Sequence, residues 1–336
     1  MSTSAAMRRL LGALPAELDR PIVLKLPAQG SWPNSSYRLD PAVMHRLVAA
    51  AGAGRPLLVR GEPGVGKSSL ARAAAALLEW PFLSFVVQPQ TEYQDLLWTF
   101  DHTERLGRAQ LLAHAGREDI DDALAPRHFI CPGPLWWAFE PGWIGWPDGV
   151  RPGSCGGYAP DADRDGLAEA DGLVLLIDEI DKADISLCNG LLEALGNGSF
   201  SVPPLMGRSV GDRSRPPLVI ITSNDARELP AAFLRRCVLL DLVLPVEGLE
   251  DHFVTVGGVH FDGMDEEVRR SAARQIIKDR GNGSTRIRSG QAEYLDLLRV
   301  VDDIARTQPE ADRLALQMRW LERLEGSFRK LSRASA

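Results

Sequence analysis

Residues 56–68 read Pro56-Leu57-Leu58-Val59-Arg60-Gly61-Glu62-Pro63-Gly64-Val65-Gly66-Lys67-Ser68. The apolar run Pro56 to Val59 is a predicted buried strand, and Ser68 to Leu78, rich in alanine, is a predicted helix. Between them Gly61 to Ser68 matches the pattern G-x-x-x-x-G-K-[ST] in the strand–turn–helix setting that gives this pattern its meaning. Glycines let the backbone curl until its N–H groups converge on phosphate oxygens. The helix that follows presents its partly positive N-terminus to the same anion. Lys67 is expected to reach the outer phosphates and the Ser68 hydroxyl a Mg²⁺ ion. The candidate phosphate-binding segment is therefore Gly61, Glu62, Pro63, Gly64, Val65, Gly66, Lys67, Ser68 and Ser69.

Moving outward, continuous apolar runs recur at Phe82 to Val87, Leu173 to Ile177, Leu218 to Ile221 and Val238 to Leu242. Such runs mark strands buried on both faces, and their alternation with helical segments predicts a parallel sheet with helical crossovers. Two of them end in chemistry. Leu173 to Ile177 runs into Asp178-Glu179, which places two carboxylates at the C-terminal edge of a parallel sheet, where ligands bind. Asp178 suits Mg²⁺ held partly through water, and Glu179 suits polarising an attacking water. Leu218 to Ile221 runs into Thr222-Ser223-Asn224, whose amide can hydrogen-bond a water and a phosphate, although Ser-Asn after a strand also makes an ordinary turn. Next, Leu229 to Cys237 carries Arg235 and Arg236, which can pair with acids in their own subunit or project to a neighbour's nucleotide.

The order of these parts resembles the AAA+ ATPases, and within them the MoxR-type branch. The resemblance is carried by Arg55-Pro-Leu-Leu-Val-Arg-Gly-Glu-Pro-Gly-Val-Gly-Lys67, Gly133-Pro-Leu-Trp-Trp-Ala138, Ile177-Asp-Glu-Ile-Asp-Lys182, Thr222-Ser-Asn224 and Leu234-Arg-Arg-Cys237, and it covers about residues 37–310. The resemblance implies an α/β P-loop NTPase fold: a parallel five-stranded sheet of order 5-1-4-3-2, helices on both faces, and a small helical lid. It implies ATP with Mg²⁺, hydrolysed between subunits of a homo-oligomeric, usually hexameric ring that works on a protein client. By position it makes Asn224 the sensor-1 residue, Arg236 the first candidate for the arginine finger and Arg235 the second. A lid residue that is often arginine in the family falls here on Gln291, with Arg288 nearby. Gly198 to Arg215 fits the hairpin these proteins insert before the Asn strand.

On this reading the chain divides into a lead-in over residues 1–36, a nucleotide-binding core over 37–245 with an insertion at about 98–170, and a helical lid over 246–336. The lead-in is expected to be irregular. Helices are expected over Asp40 to Ala51, near Tyr93 to Phe100, and over Asp265 to Arg280, Gln291 to Arg306 and Glu310 to Leu331; Val254 to Val259 looks β-like but contains Gly257-Gly258.

The 336 residues carry 38 basic and 45 acidic side chains, a balance of −7 that argues against a protein built mainly to grip nucleic-acid backbone. No run of about 18 apolar residues predicts a membrane span. Cys131, Cys155, Cys188 and Cys237 make no CxxC pair, so reduced thiols in a cytoplasmic protein are expected. Tryptophan is in excess, eight against four tyrosines, and Trp98, Trp136, Trp137, Trp143 and Trp146 lie close together in sequence. Trp136 and Trp137 read as core packing, whereas Trp143 and Trp146, among Gly and Pro, are open to a client or subunit contact. Besides a remodelling machine, two other readings fit: a nucleotide-gated switch that hydrolyses slowly, and a restriction-type nucleic-acid motor using the basic residues of the last helix. The phosphate loop itself does not distinguish ATP from GTP.

Overall fold

The computed structural model describes residues 8, 12, 19–115, 120–141, 170–211, 217–281, 288–309 and 312–329. Trp143, Trp146 and the Pro147 to Asp165 loop lie outside the described residues.

The chain packs as two units. The first comprises Met1–Arg20, Pro41–Arg60 and Ala71–Leu240; the second comprises Pro21–Asp40, Gly61–Leu70 and Asp241–Ala336.

The first unit is built on a five-stranded sheet. Its strands are β1 (Leu57–Arg60), β2 (Phe82–Val86), β3 (Val174–Asp178), β4 (Leu218–Ser223) and β5 (Val238–Asp241). Their spatial order is β5-β1-β4-β3-β2, the expected 5-1-4-3-2. The β1–β4, β4–β3 and β3–β2 pairings are parallel. Leu57, Leu58, Val59, Val174 to Ile177, Ile220 and Ile221 are all buried, as strands covered on both faces must be. Register brings Ser223 beside Arg60, Ile221 beside Ile177 and Val86 beside Asp178, so these strands end along one edge. From there the chain runs on into Gly61, Glu179 and Asn224, the starts of the three motifs.

The inserted region packs onto this sheet. Helix Pro134–Phe139 buries Leu135, Trp136 and Phe139, while Trp137 is half-buried against the same core. The packing reading of Trp136 and Trp137 therefore holds. The expected helix Tyr93 to Phe100 stops at Leu97, and Trp98–Phe100 forms a short strand antiparallel to Ile130–Pro132. Aromatic and β-branched residues at 98–100 favour the strand once a partner thirty residues on is available. Cys131, expected as a reduced thiol, is disulfide-bonded, while Cys188 and Cys237 are free and buried. The hairpin expected after Gly198 is present as Phe200–Val202 paired with Arg208–Val210.

The second unit holds the phosphate loop, a hairpin and helices. The lead-in is not wholly irregular: Ile22–Leu26 pairs antiparallel with Ser35–Leu39. Helices Leu249–His260, Glu266–Gly281, Gln291–Ala305 and Arg313–Arg323 share a core of Phe253, Val268, Ala272, Ile276, Tyr294, Leu297 and Val301. The β-like reading of Val254 to Val259 gives way to helix, because its glycines let other side chains close in. A Cβ on Gly257 would come within 2.4 Å of the Tyr294 hydroxyl, and one on Gly258 within 2.3 Å of Arg269 Nη1. The last helix, expected over Glu310 to Leu331, is shorter, and its Leu314 is exposed. Among the described residues no helix is long and apolar enough to cross a membrane.

Candidate functional site

The phosphate loop is shaped by three glycines with positive φ: +151° at Gly61, +81° at Gly64 and +94° at Gly66. Side chains rarely adopt these conformations, and at Gly61 and Gly64 there is no room for one. A Cβ on Gly61 would lie 2.2 Å from the Leu242 carbonyl oxygen, and one on Gly64 2.7 Å from the Ala292 Cβ. Lys67, only 6% exposed, donates from Nζ to the carbonyls of Gly61 at 2.7 Å and Glu62 at 2.9 Å. The ammonium is thus folded into the loop it serves. Ser68 and Ser69 are half-buried in the first turn of helix Lys67–Leu78. The first N–H groups of a helix have no intrahelical acceptor and are open to an anion.

Residues of the helices expected as a lid reach this loop within the same unit. Gln291 Nε2 is 3.7 Å from where a Gly66 Cβ would sit, and Gln291 Oε1 is 3.2 Å from His252 Nε2. Arg288 is exposed. The cation that does meet the loop is Arg280, to which the sequence reading gave no role. Its Nη2 lies 2.9 and 2.8 Å from the two carboxylate oxygens of Glu62, and its Nη1 donates to the Ser289 carbonyl at 3.1 Å.

At the carboxylate edge, Asp178 ends β3 and Glu179 turns the chain. Glu179 has φ 61° and ψ 48°, left-handed values that cost a non-glycine residue about 1–3 kcal/mol and gather at functional sites. Surrounding bonds hold it there. Its N–H donates to Thr222 Oγ1 at 2.9 Å, and the Thr222 hydroxyl donates to Asp178 Oδ1. Asn224 Nδ2 donates to Glu179 Oε1 at 3.2 Å, and Lys182 Nζ forms an ion pair with Glu179 Oε2. The hydrogen bond that the Lys182 ammonium donates to Glu179 holds it above its ordinary pKa. Asp181 is 2% exposed. It accepts from the N–H groups of Asn224 at 3.2 Å and Ala226 at 2.9 Å, and so fixes the turn that carries the Asn224 amide.

Thr222, Asp181 and Lys182 are functional neighbours that the motif reading did not single out. The available signal was register, since pairing Ile221 with Ile177 puts Thr222 beside Asp178. Arg235 and Arg236, after the short helix Ala231–Leu234, are both exposed, and among the described residues neither guanidinium has an ion-pair or hydrogen-bond partner.

Among the described residues no three His, Cys, Asp or Glu side chains gather into a metal cage. Mg²⁺ needs no such cage, because it keeps most of its water and takes only one or two carboxylates.

A family model described as an AAA domain of the dynein-related subfamily matches residues 56–237. Among solved structures, the chain is similar to a RuvB mutant of Thermotoga maritima, with 14% identity and a TM-score of 0.45, over 84% of this chain and 70% of that one. It is also similar to a candidate ATPase of Cytophaga hutchinsonii, with 15% identity and a TM-score of 0.37, over 79% of this chain and 74% of that one. No curated protein matches the chain.

Proposed function

The chain belongs to the dynein-related subfamily of AAA domains, and from that premise we propose that it is a MoxR-like AAA+ ATPase, assembled as a homo-oligomeric ring, that couples ATP hydrolysis between subunits to remodelling of a protein client. The observation that carries the reading is Glu179, a carboxylate kept in a strained backbone conformation by Thr222 and touched by both Asn224 and Lys182.

The mechanism follows from the roles these groups can take. Backbone N–H groups of Gly61 to Ser69 and the Lys67 ammonium bind the phosphates of ATP. Ser68 and Asp178 are the residues that would hold Mg²⁺, which when bound neutralises charge on the β- and γ-phosphate oxygens. Glu179 accepts a proton from the attacking water, and the Asn224 amide orients that carboxylate. To act, Glu179 releases Lys182, an exchange that an exposed ion pair permits at small cost. Arg236, or Arg235 beside it, reaches the nucleotide of a neighbouring subunit, where a guanidinium stabilises the charge of the transition state. Residues 246–336 act as the lid, whose movement transmits the state of the nucleotide.

The test is Glu179→Gln. Nucleotide binding should persist, while turnover falls by about 10²–10⁴-fold, the range a general base contributes. Turnover at the wild-type rate would refute the assignment.

A second reading, a slow nucleotide-gated switch, draws support from Gln291, a neutral amide bound to His252 where the resembling family often has arginine. Steady-state turnover measured with and without a client separates the two, because a switch stays slow in both.

A further inference from the structure

The phosphate loop contains a contradiction. It is built to receive anions, yet its second residue is Glu62, whose carboxylate repels a phosphate at short range. The structure answers this charge from far along the chain. Arg280 Nη2 meets both carboxylate oxygens of Glu62, across 218 residues of sequence.

We propose that Arg280 is a positioning residue for the phosphate loop: it neutralises and fixes Glu62, and thereby holds the loop open in the shape that accepts the nucleotide's phosphates. The proposal rests on the reading of Gly61 to Ser69 as the phosphate site.

Three observations support it. First, the guanidinium is itself held. It is 15% exposed, and its other nitrogen donates to the Ser289 carbonyl at the turn before helix Gln291–Ala305. Second, that turn and the end of Arg280's helix are braced by the C-terminal segment. Ser289 Oγ donates to the Phe328 carbonyl at 2.9 Å, Lys278 pairs with Glu325 at 2.6 Å, and the buried Asp279 pairs with Arg329 at 3.4 Å. Lys278 and Asp279 thus both bind the C-terminal segment, and Arg280 is the one directed at the loop. Third, the same turn delivers Ala292, which packs where a Gly64 side chain would be. The loop is therefore held at Glu62 by charge and at Gly64 by contact.

A charged hydrogen-bonded pair fixes a direction as well as neutralising a charge. With Arg280 removed, Glu62 is a free anion on a mobile loop segment, and it competes with the ligand's phosphates for the loop's N–H groups. Loss of Arg280 should therefore weaken ground-state nucleotide binding and leave the chemical step nearly intact, because Glu179 and Asn224 are held by other residues.

The experiment measures ATP affinity, KM, kcat and thermal midpoint in the full chain for Arg280→Gln, Glu62→Gln, the double variant, and the charge exchange Glu62→Arg with Arg280→Glu. We expect Arg280→Gln to raise Kd and KM by about tenfold, the scale of a lost charged hydrogen bond, with kcat changed less than about threefold. Glu62→Gln in the Arg280→Gln background should recover most of that affinity, because the competing anion is gone. The charge exchange should recover part of it. Wild-type Kd for Arg280→Gln overturns the proposal. So does a kcat loss equal to the KM change, or an Arg280→Gln defect that Glu62→Gln leaves untouched, since a merely structural arginine behaves that way. Lys67→Ala is the separate control. If it binds ATP as wild type does, the phosphate-site reading itself fails; if it loses binding while Arg280→Gln does not, only the role of Arg280 falls.

Discussion

The carboxylate edge and the phosphate loop are held by opposite means. At the edge, Asp178, Glu179 and Asn224 are restrained by groups at the sheet's own ends: Thr222 from β4 and Asp181 and Lys182 from the turn after β3. Beneath them lies a dry core in which Ile177, Ile180 and Ile221 are fully buried. The loop rests on a different core, that of the helical unit, through Val65. It is shaped by three glycines and by contacts from Leu242, Arg280 and Ala292, all distant in sequence. On the proposed roles, the group that performs chemistry is fixed by local, buried structure, whereas the group that binds phosphate is held by residues distant in sequence. Perturbing the edge should cost stability and kcat; perturbing the loop's supports should cost affinity.

The hardest blow to this contrast is aimed at the platform under the edge. Trp136 is fully buried, meets Phe200 edge-on at 6.0 Å between ring centres, and lies in the core that includes Ile177 and Ile180. Trp136→Ala should destabilise the sheet unit by about 3–5 kcal/mol, the range for deleting a large buried aromatic. Urea unfolding followed through the sheet unit measures it. A loss below about 1 kcal/mol would mean that this region is not the rigid floor the comparison requires.

Asp181→Ala is gentler and more pointed. It leaves the N–H groups of Asn224 and Ala226 without their acceptor in a buried setting, which costs about 1–3 kcal/mol. Because the freed turn carries the Asn224 amide, kcat should fall by about tenfold while KM holds, the inverse of the pattern expected for Arg280→Gln. If both variants raise KM alone, the division between a chemical edge and a binding loop is wrong.

The same contrast explains what could be read in the sequence. Asp178-Glu179, Asn224 and the glycine-rich loop were legible because each is a short contiguous motif at the end of an apolar run, and parallel-sheet physics puts such ends on one edge. The strand order came with the family resemblance. What stayed hidden depended on partners distant in sequence. The strand Trp98–Phe100 exists only with Ile130–Pro132 beside it, and the hairpin of Ile22–Leu26 with Ser35–Leu39 was hidden in a segment rich in proline and serine. Val254 to Val259 carries β-branched residues that favour a strand locally, yet the unit needs a helix whose two glycines admit Tyr294 and Arg269. Asp181 was given no role of its own by the sequence; its bonds to the N–H groups of Asn224 and Ala226 appear only in the fold. Arg280 carried no motif at all, and only its proximity to Glu62 gives it a role.

The smallest effect separates the two units by pH. His260, at the end of helix Leu249–His260, has its imidazole pushed below the ordinary value by burial first and by the nearby Arg299 second. Its folded pKa is therefore below its unfolded one, near 6.5, so between the two the unfolded chain binds more protons. The stability it contributes is complete above the unfolded value and is lost as pH falls through the folded one. The free thiols of the sheet unit behave differently, since burial pushes Cys188 up to about 11 and Cys237 up to about 12, and both stay protonated throughout this range. The urea midpoint of the helical unit should accordingly fall as pH is lowered below about 6.5, and His260→Gln should flatten that dependence. An unchanged slope in the variant would assign the pH response to other groups, and would remove His260 from the features that make the lid unit the more easily shifted of the two.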